Sequence, residues 1–185
     1  MKYIELKDAV MNEINTCLNQ TSEKEINAAI KTISRSKKIF VFGAGRTGLV
    51  ASEFAMRLMH IGFNVYKVGE VTTPAIEKKD LLVVCSGSGE TTSALNLVNV
   101  ANKVGASTLL FTTKETSTIA SLVNNKVVIH AKAAKSDDGS VKSIQPLSNL
   151  FAQSLILTFD MIIIMLMNKL NIDETKLKNK HANLE

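Results

Sequence analysis

Two rhythms run along this chain. Over the first 36 residues, apolar side chains recur every three or four positions. Val10, Ile14, Cys17 and Leu18 make one stripe, and Ile26, Ile30 and Ile33 make another. That spacing puts each set on one face of a helix, so two amphipathic helices open the chain. Thr21 or Ser22 stands where the second helix needs a cap, and Glu25 sits where a capping box places its acid. From Lys38 the rhythm changes to short apolar runs: Ile39–Phe42, Asn64–Val68, Leu81–Cys85, Ser107–Thr112 and Lys126–His130. Runs of this kind, rich in Val, Leu and Ile, suit strands buried on both faces. Helices are predicted between them, one ending at about His60, one across Thr92–Val104 and a short one near Thr118–Val123. Strands alternating with helices imply right-handed crossovers and a parallel sheet covered on both sides.

Beyond the fifth run, Ala131–Ser143 is polar, contains Gly139 and has no period, so a loop is expected. Pro146 precedes a long helix from about Ser148 to Leu170, and a last short helix is predicted over Asp173–His181. The most apolar stretch, Leu155 to Met167, contains Thr158 and Asp160. Its uninterrupted part, Met161 to Met167, falls far short of the roughly 20 residues a membrane span needs. A helix apolar nearly all round is a buried one, and in a chain this small a subunit interface is the natural place for part of it. No internal repeat or low-complexity tract divides the chain, so one domain is expected.

Composition narrows the function. The chain of 185 residues is 45% hydrophobic and 21% charged, ordinary for a soluble domain with its own core. The net charge is +5, from 22 basic and 17 acidic residues, but the lysines are scattered. Their densest group, Lys176, Lys178 and Lys180, has no aromatic residue beside it, which argues against nucleic-acid binding. The opening MKYIELKDAVMNEI mixes charge with apolar residues at helical spacing and does not read as a secretory signal. Cys17 and Cys85 lack metal-like spacing, and a reducing cytoplasm is their expected setting.

The chemistry gathers in two loops. After the run Leu81–Cys85 comes SGSGETTS, with two glycines and a series of hydroxyls leading into a helix. Glycines let backbone N–H groups approach an anion, hydroxyls rotate to donate, and a helix start adds partial positive charge. A capped strand-to-helix turn has the same composition. After the run Ile39–Phe42 comes GAGRTG, which fits G-x-G-x-x-G and invites a dinucleotide reading. The acid that reading wants is only approximated by Glu70, beyond the second run. In a doubly wound sheet of order 2-1-3-4-5, strands 1 and 3 are neighbours and a crevice opens at their carboxyl ends. Both loops then reach one place. Ser86, Gly87, Ser88, Gly89, Glu90 and Thr91 would cradle a phosphate, and Gly45, Arg46 and Thr47 would hold the rest of a ligand. Arg46 has the plainer alternative of pairing with a surface acid, and Glu90 that of stabilising a helix start.

The stretches VFGAGRTGLVASEFAMRLMHIGFNVYKVGE (41–70), TTPAIEKKDLLVVCSGSGETTS (72–93), QPLSNLF (145–151) and the terminal KHANLE (180–185) are similar to the sugar isomerase (SIS) domain family. Within it they resemble the 6-phospho-3-hexuloisomerases. The resemblance covers nearly the whole chain. It implies a single SIS domain over 1–185, an α/β fold in a three-layer α/β/α sandwich with a five-stranded parallel sheet, N-terminal helices over 1–36, and a long apolar helix and C-terminal tail over 148–185 supplying oligomer contacts. It further implies a homotetramer with active sites near subunit interfaces, a sugar phosphate substrate and no cofactor or metal. The implied reaction interconverts 3-hexulose 6-phosphate and fructose 6-phosphate in ribulose monophosphate formaldehyde fixation.

Moving a carbonyl from C3 to C2 through an enediol needs one base that reaches both carbons, and donors for the enediolate oxygens. The family pattern places a glutamate directly after the Leu-Phe of QPLSNLF. Here that position is Ala152, which cannot take a proton. The substitutes are His60, whose plainer role near a helix end is to meet the helix dipole, and His181, in a tail that could cross into a neighbouring subunit's crevice or simply pack at an interface. Three readings stay open: an inactivated variant, a relative using another base, or a protein that binds without turnover.

Overall fold

Five short strands pair in parallel, in the spatial order β2-β1-β3-β4-β5. They are β1 (Ile39–Gly43), β2 (Val65–Lys67), β3 (Leu81–Cys85), β4 (Ser107–Thr112) and β5 (Asn125–Val128). The helices are α1 (Tyr3–Gln20), α2 (Glu23–Arg35), α3 (Gly45–His60), α4 (Thr92–Val104), α5 (Asn149–Leu170) and α6 (Glu174–Lys178). The computed structural model describes residues 2–132 and 141–184. Most of the expected loop over Ala131–Ser143 therefore lies outside the described residues, although Ala131 and Val141 form an isolated parallel bridge.

The sheet is the middle of three layers. Side chains alternate across a strand, so each strand feeds two cores. Ile39, Val41, Leu81, Val83, Leu109, Phe111 and Val127 enter a core completed by α1, α2, α3 and α5. Phe40, Leu82, Val84 and Leu110 enter a smaller one with Ala94, Val98 and Ala101 of α4 and with Ile119. The two faces are unequal, because among the described residues α4 is the one helix that covers the second. The buried Asp80 carboxylate ties the entry edge together. It accepts from the N–H groups of Lys38 (3.1 Å) and Glu77 (2.8 Å) and pairs with Lys38 Nζ at 3.3 Å.

Several expectations need correction. Thr118–Val123 is a run of turns, not a helix. Such a short segment makes few helical bonds for its nucleation cost, and its first two N–H groups, of Thr118 and Ile119, are bonded to Glu90 and Gly89 instead. The last helix is shorter than Asp173–His181: Asp173 caps it from outside, accepting from Lys176 N–H at 2.9 Å. Ser22 caps α2 by accepting from Glu25 N–H at 3.4 Å, but Glu25 completes no capping box. Its carboxylate instead accepts from Val128 N–H at 2.9 Å, covering an open bonding position on the edge strand β5.

α5 is long and apolar enough to cross a membrane, yet 56% of its most apolar stretch is buried within the protein. Its inner face packs Leu150, Phe151, Leu155, Phe159, Ile162 and Leu166 into the larger core, where Phe159 stacks on Phe54 of α3. Glu13 of α1 fixes the approach to α5. It accepts from Ser143 Oγ at 2.6 Å, Ile144 N–H at 2.8 Å and Gln145 Nε2 at 3.1 Å.

Candidate active site

Strand register brings the two loops together. Gly43 at the end of β1 pairs with Cys85 at the end of β3, and Cys85 pairs in turn with Phe111 of β4. Ala44, Ser86 and Thr112 therefore leave neighbouring strands at one level, on the carboxyl edge. The helices after β1 and β3 lie on opposite faces, which opens the crevice there.

The loop after β3 presents donors. Gly89 N–H bonds Ser86 O at 3.1 Å, closing a turn, and Ser86 Oγ meets Thr91 Oγ1 at 2.9 Å. Gly87 O accepts from Thr113 N–H (3.1 Å), Thr113 Oγ1 (2.8 Å) and Thr112 Oγ1 (3.2 Å). Gly89 O accepts from Ile119 N–H at 3.1 Å. The N–H groups of Gly87, Ser88 and Thr91, by contrast, have no acceptor among the described residues. Carbonyls turned away and N–H groups left open make a concavity suited to an anion. Gly89 adopts φ +66°, and a Cβ there would lie 2.1 Å from Ser117 Oγ, so only glycine fits. Beneath the loop, the Phe151 ring would sit 3.3 Å from a Cβ at Gly87.

Glu90 is exposed, and its carboxylate does not point into the cradle; it accepts from Thr118 N–H at 2.8 Å. Hydrogen bonds from Thr118 hold its pKa below the usual glutamate value. Gly45, Arg46 and Thr47, expected in a loop, form the first turn of α3 at the crevice rim. Arg46 is exposed and has no ion-pair partner among the described residues, so the surface-pairing alternative is not what the structure shows. The outer glycines of GAGRTG serve packing: a Cβ on Gly48 would lie 2.5 Å from Gly43 O. Ala152 is buried in the first turn of α5, next to the Phe151 that supports Gly87.

The two candidate histidines, His60 and His181, are elsewhere. His60 ends α3, about 22 Å along the helix from Gly45, at the entry edge of the sheet. There its ring stacks on His181, with centroids 5.3 Å apart. Within one chain the structure joins the two imidazoles to each other and not to Ser86. His60 is 5% exposed. Burial, then the charges of His181 and Arg57, hold its pKa below the usual 6.5. Neither thiol resembles a nucleophile, since burial pushes the pKa of both Cys17 and Cys85 upward. Sequence reasoning missed Thr112, Thr113, Thr118 and Ile119 as builders of this site. The one available signal was hydroxyls clustered just after the β4 run.

Residues 32–160 match the SIS domain model. A Bacillus subtilis (strain 168) protein named 3-hexulose-6-phosphate isomerase is 37% identical over 185 residues, covering 100% of both chains. One of the same name from Mycobacterium gastri is 38% identical over 176 residues, 95% of this chain and 88% of that one. A solved structure of a hypothetical Methanococcus jannaschii protein, described as inferring 3-hexulose-6-phosphate isomerase function, superposes with a TM-score of 0.85. It shares 33% identity and covers 98% of this chain and 99% of that one.

Proposed function

The chain belongs to the SIS domain family, and from that premise we propose that it is an isomerase interconverting 3-hexulose 6-phosphate and fructose 6-phosphate. The observation that carries this reading is the loop over 86–91, whose Gly87 and Gly89 carbonyls are bonded away while the N–H groups of Gly87, Ser88 and Thr91 stay open beside the hydroxyls of Ser86 and Thr91. A phosphate monoester would seat there on neutral donors and the start of α4. Phosphate binding would hold the sugar so that C2 and C3 face α5, where position, not new charge, supplies much of the rate. Arg46 and Thr47 would bound the sugar's polar side. The reaction needs no redox partner, since a hydrogen leaves one carbon and returns at its neighbour.

The base is the open element. A carboxylate at position 152 would be buried at the loop, and burial raises a carboxyl pKa toward the range that suits a general base. Alanine supplies none. We propose the exposed His181 of a neighbouring copy as its substitute, in a homotetramer whose crevices lie near subunit contacts, with the buried His60 stacked on it to hold its ring. The chain would act as one domain in the cytoplasm, in keeping with two free, buried thiols.

A second reading is favoured by Ala152 alone: sugar-phosphate binding without turnover. A coupled assay on 3-hexulose 6-phosphate, run on this chain and on Ala152→Glu, separates the two. The substitution is expected to raise the rate by about 10²–10⁴-fold, the usual contribution of a positioned base. An unchanged rate in a well-folded variant would remove position 152 from the chemistry. Calorimetric binding of fructose 6-phosphate by the parent chain, with no turnover in the assay, would select the second reading.

A further inference from the structure

The connection from β4 to β5 has a role that the loop alone does not explain. It makes no helix, yet it is firmly held. Ile119 is fully buried in the smaller core. Ser117 caps the turn through Ala120 N–H at 3.1 Å, and Ser121 Oγ bonds Thr118 O at 2.8 Å. From this anchored segment, donors reach the loop after β3 at three points: Gly87 O, Gly89 O and the Glu90 carboxylate.

An anion site fails electrostatically if carbonyl oxygens share it with the N–H groups. The loop over 86–91 must turn its carbonyls out to leave its donors in, and outward carbonyls need donors of their own. The bonds from the connection to Gly87 O and Gly89 O meet that need. Glu90 raises the same problem more sharply, because a full negative charge stands one residue from Thr91. Its bond to Thr118 N–H holds the carboxylate toward the connection and away from the cradle.

We propose that Glu90 and the 112–119 connection form a strap that positions the loop for a phosphate monoester, with Glu90–Thr118 as its latch and Thr113–Gly87 as its second tie. Glu90 is thus a positioning residue: it acts through the loop and does not touch the ligand. The inference rests on the proposed reading of the loop as the phosphate site.

Calorimetry with fructose 6-phosphate and, separately, inorganic phosphate tests it on the full chain and on Glu90→Ala, Glu90→Gln and Thr113→Val. Glu90→Ala should weaken binding of both ligands roughly threefold to tenfold, about the worth of one net hydrogen bond, without lowering the melting temperature. Glu90→Gln keeps the acceptor for Thr118 N–H and should restore affinity to near that of the parent. Thr113→Val keeps shape, removes one donor to Gly87 O and should weaken binding as Glu90→Ala does. If Glu90→Ala and Thr113→Val bind both ligands as the parent does, the strap is overturned while the site stands. If Glu90→Gln binds as weakly as Glu90→Ala, the latch is overturned, because charge and not the hydrogen bond would matter. If the parent binds neither ligand, the reading of the loop falls and the strap with it.

Discussion

Single residues here take their properties from neighbours distant in the chain. His60 reads in sequence as a histidine meeting a helix C-terminus, an arrangement that would favour its charged form. In the fold it is buried against His181, with Arg57 one turn back, and these disfavour the proton. The native state then binds fewer protons at His60 than the unfolded chain does. The stability tied to this contact is complete above about pH 6.5 and is lost as pH falls through the lower native value. Two-dimensional NMR should show His60 titrating below 6.5. His181→Ala removes a neighbouring charge and admits water, so the titration should move upward. A downward move, or none, would mean that the stack does not set the histidine's charge. Glu90 teaches a similar lesson. Its place in SGSGETTS was legible, but the direction of its carboxylate depends on Thr118, 28 positions away.

At the scale of elements, apolar runs mark their own limits where burial is complete. Leu81–Cys85 and Ser107–Thr112 begin and end in the fold where the pattern puts them. The edge strands do not: β2 spans only Val65–Lys67, and β5 covers Asn125–Val128 rather than Lys126–His130. An edge strand has one neighbour to enforce pairing, so its ends follow local bonds. The junction of β1 and α3 carries the next prediction. By helix propensity alone, Gly48→Ala should stabilise by up to about 1 kcal/mol. The Cβ would lie 2.5 Å from the backbone oxygen of Gly43, however, and backbone cannot rotate aside. We therefore expect a net loss of about 1–3 kcal/mol in urea unfolding, as for an overfilled site. A stabilised variant would show that the junction is looser than its geometry implies.

For the whole molecule, the outer surfaces of α3 and α5 matter most. Leu157, Met161 and Ile164 recur at spacing four and three on α5 and remain exposed, as do Leu49 and Met56 on α3. The exposed apolar stripe on α5 suits an interaction site. Sedimentation at micromolar concentration should give a tetramer, and Met161→Lys with Ile164→Lys should shift it to smaller species without unfolding. A parent chain that sediments as a monomer at every concentration would leave the two histidines with no route to a neighbouring loop.

The sequence by itself determined the parallel sheet, its order of elements and the two loops at the carboxyl edge. These follow from periodicity, from glycine and hydroxyl chemistry, and from residue identity, all local properties. Tertiary structure alone decided that the β4–β5 connection takes up the loop's carbonyls, that Glu13 holds the approach to α5, and that His181 stacks on His60. Each of these joins groups far apart in the chain, and their pairing exists only once strand register and helix packing have set the distances.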